Sequence, residues 1–558
     1  MSKSTLALIN EIKTENQDFE FYPTTRDMLQ CIEKNIKKSY LIRDGEEIKE
    51  SILDCGAGDG RALMALTKGD KYAIEKSRPL LDSLPKEVFI VGTDFHQQTL
   101  LDKKVSIVFV NPPYSEYSSW ITKIIKEANA QLVYAVIPER WERNGPIKRE
   151  LEARKATATV IGEFDFLEAD RKARGTVNVV RFSLVDMYRG YIGQNQSCSI
   201  DPFELWFNDN FNIGTQGRSS DLDKYSAKKE AERNLEKSKK NYELTKNKSY
   251  VKILEDCYIK DMDKLMMTYK ALADIDPQLM NELDVKLENV KSALRLKVSS
   301  LKDVYWHELI NKLSAITSKL ASSSRKALLD KLFSRTHVDF TAENAHAIVI
   351  WVIKNANAYF DSQLIELVET MTEKANVVNY KSNKRTFGSE DWRYRTSPSE
   401  LSRYKLDYRI VLQRVGGISV PSYWQSREVH GLSNSATNFI NDICTVAFNI
   451  GYDTEGMQRA EDFKWESNKK KLFMFKNHSS GETEELFEVK AFKNGNLHIK
   501  LRPSFICKLN VEFGRLKGWL KTKEEASSEL GMDIEEVNGA FKSNFQIPTS
   551  SALRLIAV

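Results

Sequence analysis

From Ser51 to Asp186 short apolar runs alternate with stretches of helical character: SILDCGAG, KYAIE, VFIVGTD, VSIVFVNPP, QLVYAVIP, ATVIGEF and VNVVRFSLVD. This rhythm predicts an α/β fold with a doubly wound sheet, in which functional residues gather at the carboxyl ends of the strands. The last two runs lack a long helix between them, so they are expected to pair antiparallel at one edge of the sheet.

After Tyr188 the pattern changes to a polar loop and then a Lys/Glu-rich run from near Ser226. Apolar residues there recur at three and four positions, as Leu254, Tyr258, Met262, Leu265, Tyr269 and Leu272, then Leu287, Val290, Leu294, Val298 and Leu301. Two long amphipathic helices with a break at Pro277 follow from that spacing. Beyond Trp306 the chain begins helical (AHAIVIWVIKNANAYFDSQLIELVETM) and ends mixed. In LFEVKAFKNGNLHIKLRP, alternation around Asn494 and Gly495 predicts a β-hairpin with a type I′ turn. The expected organisation is therefore an α/β domain over residues 1–190, a helical arm or hairpin over 191–305, and a mixed α+β domain over 306–558. No internal repeat is evident.

Composition narrows this only slightly. At 558 residues the chain exceeds a single core, and 41% hydrophobic with 29% charged residues is an ordinary globular balance. With 83 Lys+Arg against 78 Asp+Glu, any nucleic-acid surface must come from local clustering. Cys31, Cys55, Cys198, Cys257, Cys444 and Cys507 show neither CxxC pairs nor metal-ligand spacing, so no metal and no disulfide framework are expected. The amino terminus has too short an apolar run for a signal peptide, and no stretch reaches membrane-spanning length. A cytoplasmic protein is the expectation.

The chemistry gathers at four successive strand ends. Asp54-Cys55-Gly56-Ala57-Gly58-Asp59-Gly60 satisfies DxGxGxG between a strand and the helical RALMAL, where glycines let a ligand approach the backbone. Such a turn also serves other nucleotide enzymes and plain packing. Glu75 closes the next strand, 21 positions after Asp54, where a carboxylate can accept both ribose hydroxyls. Asp94 ends the third strand and offers an acceptor to an adenine amino group, with Phe95 beside it to pack on the ring. The fourth strand ends in Asn111-Pro112-Pro113-Tyr114.

That tetrad suits attack by an arylamine on a methyl sulfonium. The amine lone pair is delocalised into the ring, and two acceptors at its hydrogens favour the tetrahedral form. The Asn111 side-chain oxygen and the Pro112 carbonyl can be those acceptors, the prolines fix the backbone, and Tyr114 supplies a stacking face. A target inside a duplex must first be flipped out, at a cost of about a few kcal/mol.

In this order the motifs resemble those of gamma-order DNA adenine-N6 methyltransferases over about residues 20 to 186. The resemblance implies the class I fold, S-adenosyl-L-methionine as cofactor and double-stranded DNA as partner. It implies that Tyr22, Pro23, Thr24 and Thr25 line the methionine end of the cofactor, and that Phe164 or Phe166 of the edge hairpin stacks on the flipped base. It also places target recognition downstream, where Tyr380 to Arg414 interleaves bases with aromatics. Lys381, Lys384, Arg385, Trp392, Arg393, Arg395, Arg403, Lys405 and Arg409 are the candidate nucleic-acid contacts, with Tyr380, Phe387, Tyr394, Tyr404 and Tyr408 among them; a solvated basic loop is the plainer reading. The carboxyl-terminal portion is similar to a domain fused to phage and prophage methyltransferases, which suggests protection against restriction. The helical arm offers a surface for dimerisation.

The tetrad also serves cytosine N4, RNA amines and glutamine amides. RNA adenine is the nearest rival, and a DNA-binding or inhibitory module with a vestigial methyltransferase fold is the alternative of another class.

Overall fold

The computed structural model describes residues 5–43, 45–184, 201–210, 224–242, 250–273, 275, 287–334, 337–375, 377–379, 381, 403–418 and 431–541. The chain divides into two units, residues 1–309 with 329–351, and residues 310–328 with 352–558.

The first unit is built on a seven-stranded sheet of order β3-β2-β1-β4-β5-β7-β6. Its strands are β1 (Ile52–Cys55), β2 (Lys71–Ile74), β3 (Val88–Gly92), β4 (Ile107–Val110), β5 (Leu132–Pro138), β6 (Thr157–Phe166) and β7 (Ala173–Ser183). Every predicted run is a strand. β1 to β5 are parallel and buried at each position, as strands covered on both faces must be. β7 runs antiparallel between β5 and β6, the edge arrangement expected from the missing helix. This is the class I methyltransferase form of the Rossmann-like sheet. The strand order reverses between β1 and β4, and that reversal opens a crevice at their carboxyl ends.

Helix α1 spans Thr5–Thr14 and α2 spans Arg26–Ser39. Thr25 caps α2 by accepting from the Met28 N–H at 3.4 Å. Met28, Ile32 and Ile36, at helical spacing, then enter the sheet's core with Ile52, Phe109 and Tyr134. Helix α3 (Arg61–Leu66) follows the glycine loop, α4 (Arg78–Ser83) follows β2, and α5 (Tyr117–Glu127) follows the Asn111 turn.

Two long helices, Tyr250–Ala273 and Leu287–Lys312, confirm the predicted pair, and Pro277 lies outside the described residues. They are not a detached arm. Tyr258, Tyr305 and Trp306 are buried, the Trp306 indole donates to the Val338 carbonyl at 2.8 Å, and Lys302 reaches the loop before β4. There Lys302 pairs with Asp102 at 2.9 Å and Asp339 at 2.8 Å, while Lys103 pairs with Asp339 at 3.0 Å. Trp351 covers the exposed edge of β3, its indole donating to the Val88 carbonyl at 3.0 Å and its ring meeting Phe89 edge-on.

The second unit holds a two-stranded sheet of β8 (Val377–Asn379) and β9 (Tyr404–Leu406) and an antiparallel sheet of order β10-β13-β12-β11, with β10 Arg409–Leu412, β11 Lys470–Lys476, β12 Thr483–Ala491 and β13 Leu497–Leu501. Its inward residues, among them the stacked pair Phe473 and Phe487, form a core with the helices Asn434–Asn449 and Pro503–Leu516. The predicted hairpin joins β12 to β13, but its turn is not type I′. Only Gly495 has positive φ (83°), and the Gly495 N–H donates to the Phe492 carbonyl at 3.2 Å. This is a three-residue loop with a glycine bulge, which needs one left-handed residue where type I′ needs two. No described helix is long and apolar enough to cross a membrane.

Asp339 is the centre of the buried charge cluster. Burial raises its carboxyl pKa, but the charges of Lys103 and Lys302 and their hydrogen bonds outweigh this and hold it at about 2. Its contribution to stability is thus present above the ordinary carboxylate range and lost as pH falls toward 2. Asp339→Ala leaves the buried Lys103 charge without a carboxylate and Lys302 with Asp102 alone, and should cost about 3–5 kcal/mol, read as an earlier first transition in urea. An unshifted transition would refute this role.

Candidate functional site

The glycine loop leaves β1 in conformations that side chains resist, with φ of 95° at Gly56, 56° at Gly58 and 78° at Gly60. Gly56 and Ala57 donate their N–H groups to the Ile74 carbonyl at 2.8 and 3.0 Å, which ties the loop to the end of β2. Glu75 tightens the same junction. Its carboxylate accepts from the Gly58 N–H and the Ser77 N–H, both at 2.7 Å. Burial pushes its pKa up to about 7, against the lowering effect of the Ser77, Gly58 and Lys76 backbone N–H groups.

Asp54 is fully buried, and its Oδ1 atom has no hydrogen-bond partner. Burial, with the negative charges of Glu75 and Asp59, pushes its carboxyl well above the ordinary range. A cleft of about 960 Å³, open to solvent, lies over these groups, and both carboxyls line it.

At the third strand end, Asp94 pairs with Lys76 at 2.8 Å and accepts from the His96 N–H at 2.9 Å. Burial raises its pKa, but the Lys76 bond, the His96 N–H and the Lys76 charge leave it below the usual value. Phe95 is buried and stacks on Trp120, with centroids 4.0 Å apart. Both rings line the cleft, Phe95 beside Asp94 as expected. Trp120, from α5, lies against Gly56, where an added Cβ would come within 3.3 Å of its ring.

At the fourth strand end the Asn111 amide nitrogen donates to the Tyr22 carbonyl at 2.8 Å and to Thr24 Oγ1 at 3.2 Å. A carbonyl oxygen cannot donate, so this pairing fixes which end of the amide is which. The Asn111 oxygen and the Pro112 carbonyl accept no hydrogen bond from the described residues. Asn111 and Pro113 line the cleft, whereas Pro112 and Tyr114 do not; Tyr114 is 39% exposed, with the Arg140 guanidinium 4.9 Å from its ring centroid.

The expected cofactor segment is only partly in the cleft. Tyr22, Pro23 and Thr24 line it, whereas Thr25 is spent on capping α2. Sequence reasoning missed the adjoining Phe19 and Phe21, which line the cleft too. Phe21 lies directly over Gly58 and leaves no room for a Cβ. Arg171, at the tip of the β6–β7 hairpin, holds this segment by donating to Asp18 at 2.9 Å and to the Phe21 carbonyl at 2.8 Å. Its guanidinium also covers the Tyr22 ring at 4.3 Å. No local pattern marks Arg171, because its partners are 150 and 153 positions away.

Two groups of expectations are corrected. Phe166 is 5% exposed and packs against Tyr22, and Phe164 is partly buried over Gly162; both belong to the core and neither lines the cleft. The hairpin turns the Phe166 ring fully and the Phe164 ring partly into the core. Among the nucleic-acid candidates, Arg403 pairs with Glu525 at 3.6 Å and donates to the Trp519 carbonyl, and Lys405 donates to the Leu530 carbonyl. Both hold the second unit's own fold together. Arg409, beside Tyr408, and Lys381 are exposed. Lys384, Arg385, Trp392, Arg393 and Arg395 lie outside the described residues, as do Tyr380, Phe387, Tyr394 and Cys198.

Residues 298–519 match a family model described as a domain of unknown function (DUF4942). No curated protein matches the chain. Similar solved structures include the 23S rRNA methyltransferase ErmE, 12% identical over 29% of this chain and 69% of that one, with a TM-score of 0.24. A dimethyladenosine transferase from Plasmodium falciparum is 11% identical over 50% of this chain and 96% of that one, with a TM-score of 0.25. A human methyltransferase 10 domain containing protein is 15% identical over 29% and 85%, with a TM-score of 0.23. The strand order itself, not these similarities, carries the fold assignment.

Gly58→Ala would force a side chain into left-handed backbone beneath the Phe21 ring. The strain alone is about 1–2 kcal/mol, and Phe21 must move as well. A lowered melting temperature with altered near-ultraviolet circular dichroism is expected, and a native melt would contradict the packing described.

Proposed function

We propose that the chain is an S-adenosyl-L-methionine-dependent methyltransferase acting on the N6 amine of adenine in DNA. The observation that carries this reading is the oriented Asn111 amide, whose oxygen is left as an acceptor in the lining of an acid-lined cleft. The residues present fit the cofactor. Asp54, with an unpartnered buried oxygen, would meet its ammonium, Glu75 would accept from its ribose hydroxyls, and Asp94 would accept from its adenine amine. The cofactor supplies an electrophilic methyl group on a sulfonium.

The chain's own work is to present the amine. Asn111 Oδ1 and the Pro112 carbonyl accept its two hydrogens, which draws the lone pair out of conjugation toward the methyl carbon. One carbon–nitrogen bond forms as the carbon–sulfur bond breaks, and the amine's extra proton leaves to solvent. Tyr114 holds the base by its ring, and Arg140 must move off that face or clamp the base from its far side. The order of the motifs along the chain favours DNA adenine, and we assign target contacts to Lys384, Arg385 and their neighbours in the basic aromatic segment.

The test is incubation of the purified chain with radiolabelled cofactor and unmethylated DNA or RNA. Label in N6-methyladenine of DNA is expected; label in RNA alone would replace the substrate, and none on either would end the proposal. Asn111→Ala should lower kcat by about 10²–10³-fold while cofactor affinity stays near that of the wild type; undiminished turnover would remove Asn111 from its role. Glu75 accepts ribose hydroxyls best as a carboxylate. Cofactor affinity should therefore be full above pH 7 and fall as pH drops through about 7, and Glu75→Gln should flatten that profile in calorimetry.

A further inference from the structure

The turn that carries Asp94 is held from behind by a residue far away in the chain. Asn344, 1% exposed, lies in the first turn of the helix Ala342–Lys374, within the stretch matched by the family model of unknown function. Its Oδ1 accepts from the Thr93 N–H at 2.9 Å, the Thr93 hydroxyl at 3.0 Å and the Gln98 amide at 3.4 Å. Its Nδ2 donates to Gln98 Oε1 and to the Asp339 carbonyl, each at 2.8 Å. Gln98 in turn donates to the Asp94 carbonyl at 3.2 Å.

Both ends of the Thr93–Gln98 turn are thus tied to one buried amide. Lys123 also reaches this turn, at the Phe95 and His96 carbonyls, Glu116 pairs with His96, and Lys76 holds the Asp94 carboxylate itself, but none of these ties the turn's backbone at Thr93 or Asp94. Asp339, one residue from Phe340 and five from Asn344, fixes the same strap to Thr99 by accepting its N–H at 2.9 Å. Only an amide meets these demands in one side chain, because the site asks for an acceptor on one face and a donor on the other.

We infer that Asn344 is a positioning residue for the donor site, holding the Thr93–Gln98 turn so that Asp94 faces the adenine of the cofactor. This rests on the methyltransferase reading given above. It makes the segment around Asn344 part of the donor pocket's construction, and so gives a task to part of the stretch that the family model matches.

The experiment measures calorimetric binding of S-adenosylhomocysteine and of S-inosylhomocysteine, in which oxygen replaces the adenine amine, to the full chain. The wild type should prefer the adenosyl ligand by about 10-fold or more, the worth of one hydrogen bond to a charged acceptor. Asn344→Leu, which fills the volume without polar atoms, and Asn344→Ala should bring that preference toward parity. A folded variant that keeps the wild-type preference, or one that loses both ligands equally, would overturn the inference. Should both variants fail to fold, Thr93→Val decides: it removes one donor to Asn344, an intermediate preference supports the inference, and an unchanged preference refutes it. Wild-type protein that binds neither ligand would instead bring down the cofactor reading on which the inference stands.

Discussion

The hydrogen bond from the Asn111 amide nitrogen to the Tyr22 carbonyl organises the candidate site. It joins the end of β4 to the segment that enters α2, two elements 89 positions apart. Because a carbonyl can only accept, the bond leaves the asparagine oxygen as the acceptor, and no rotation of the amide can keep the bond while reversing its ends. The segment that provides the carbonyl is itself held by Arg171 from the β6–β7 hairpin. The acceptor's orientation therefore depends on an edge hairpin, an amino-terminal strap and a central strand at once.

Electrostatics give the cleft its character. Asp54 and Glu75 are carboxyls removed from water, one left with an orphaned oxygen and the other partly satisfied by backbone N–H groups. Burial holds both acids against ionisation, and a ligand that brings an ammonium and hydroxyl donors relieves that tension. Ligand binding and stability are consequently coupled, and the chain should gain stability whenever the cleft is filled by such donors. Asp94 differs, since Lys76 keeps it ionised and ready to accept. The three acids divide the work by environment, not by residue type.

The places where sequence reasoning failed share one cause. Phe164 and Phe166 alternate along a strand, and alternation says that two faces exist without saying which one meets the core. Arg403 and Lys405 sit in a run of bases and aromatics that reads as a polyanion surface, yet their partners Glu525 and Leu530 come from a helix more than a hundred positions on. The Asn494-Gly495 turn holds the right dipeptide, but the loop length chose a bulged form over type I′. In each case the local signal was real and a distant contact settled its use.

What the chain's linear order determined was everything that depends on near neighbours: strands, the glycine turn, the long helices, and the succession of Asp54, Glu75, Asp94 and Asn111 at strand ends. Parallel strands wound in a fixed hand bring successive carboxyl ends to one side, so a list of strand-end residues is already a list of cleft residues. Tertiary structure alone decided that Trp120 backs Phe95, that Arg171 clamps Phe21, and that residues 329–351 return to the first unit to fasten β3 and its turn. These contacts join residues separated by up to 263 positions. Their partners are chosen by shape and by unsatisfied hydrogen-bonding groups in a packed interior, and no short-range pattern records such a choice.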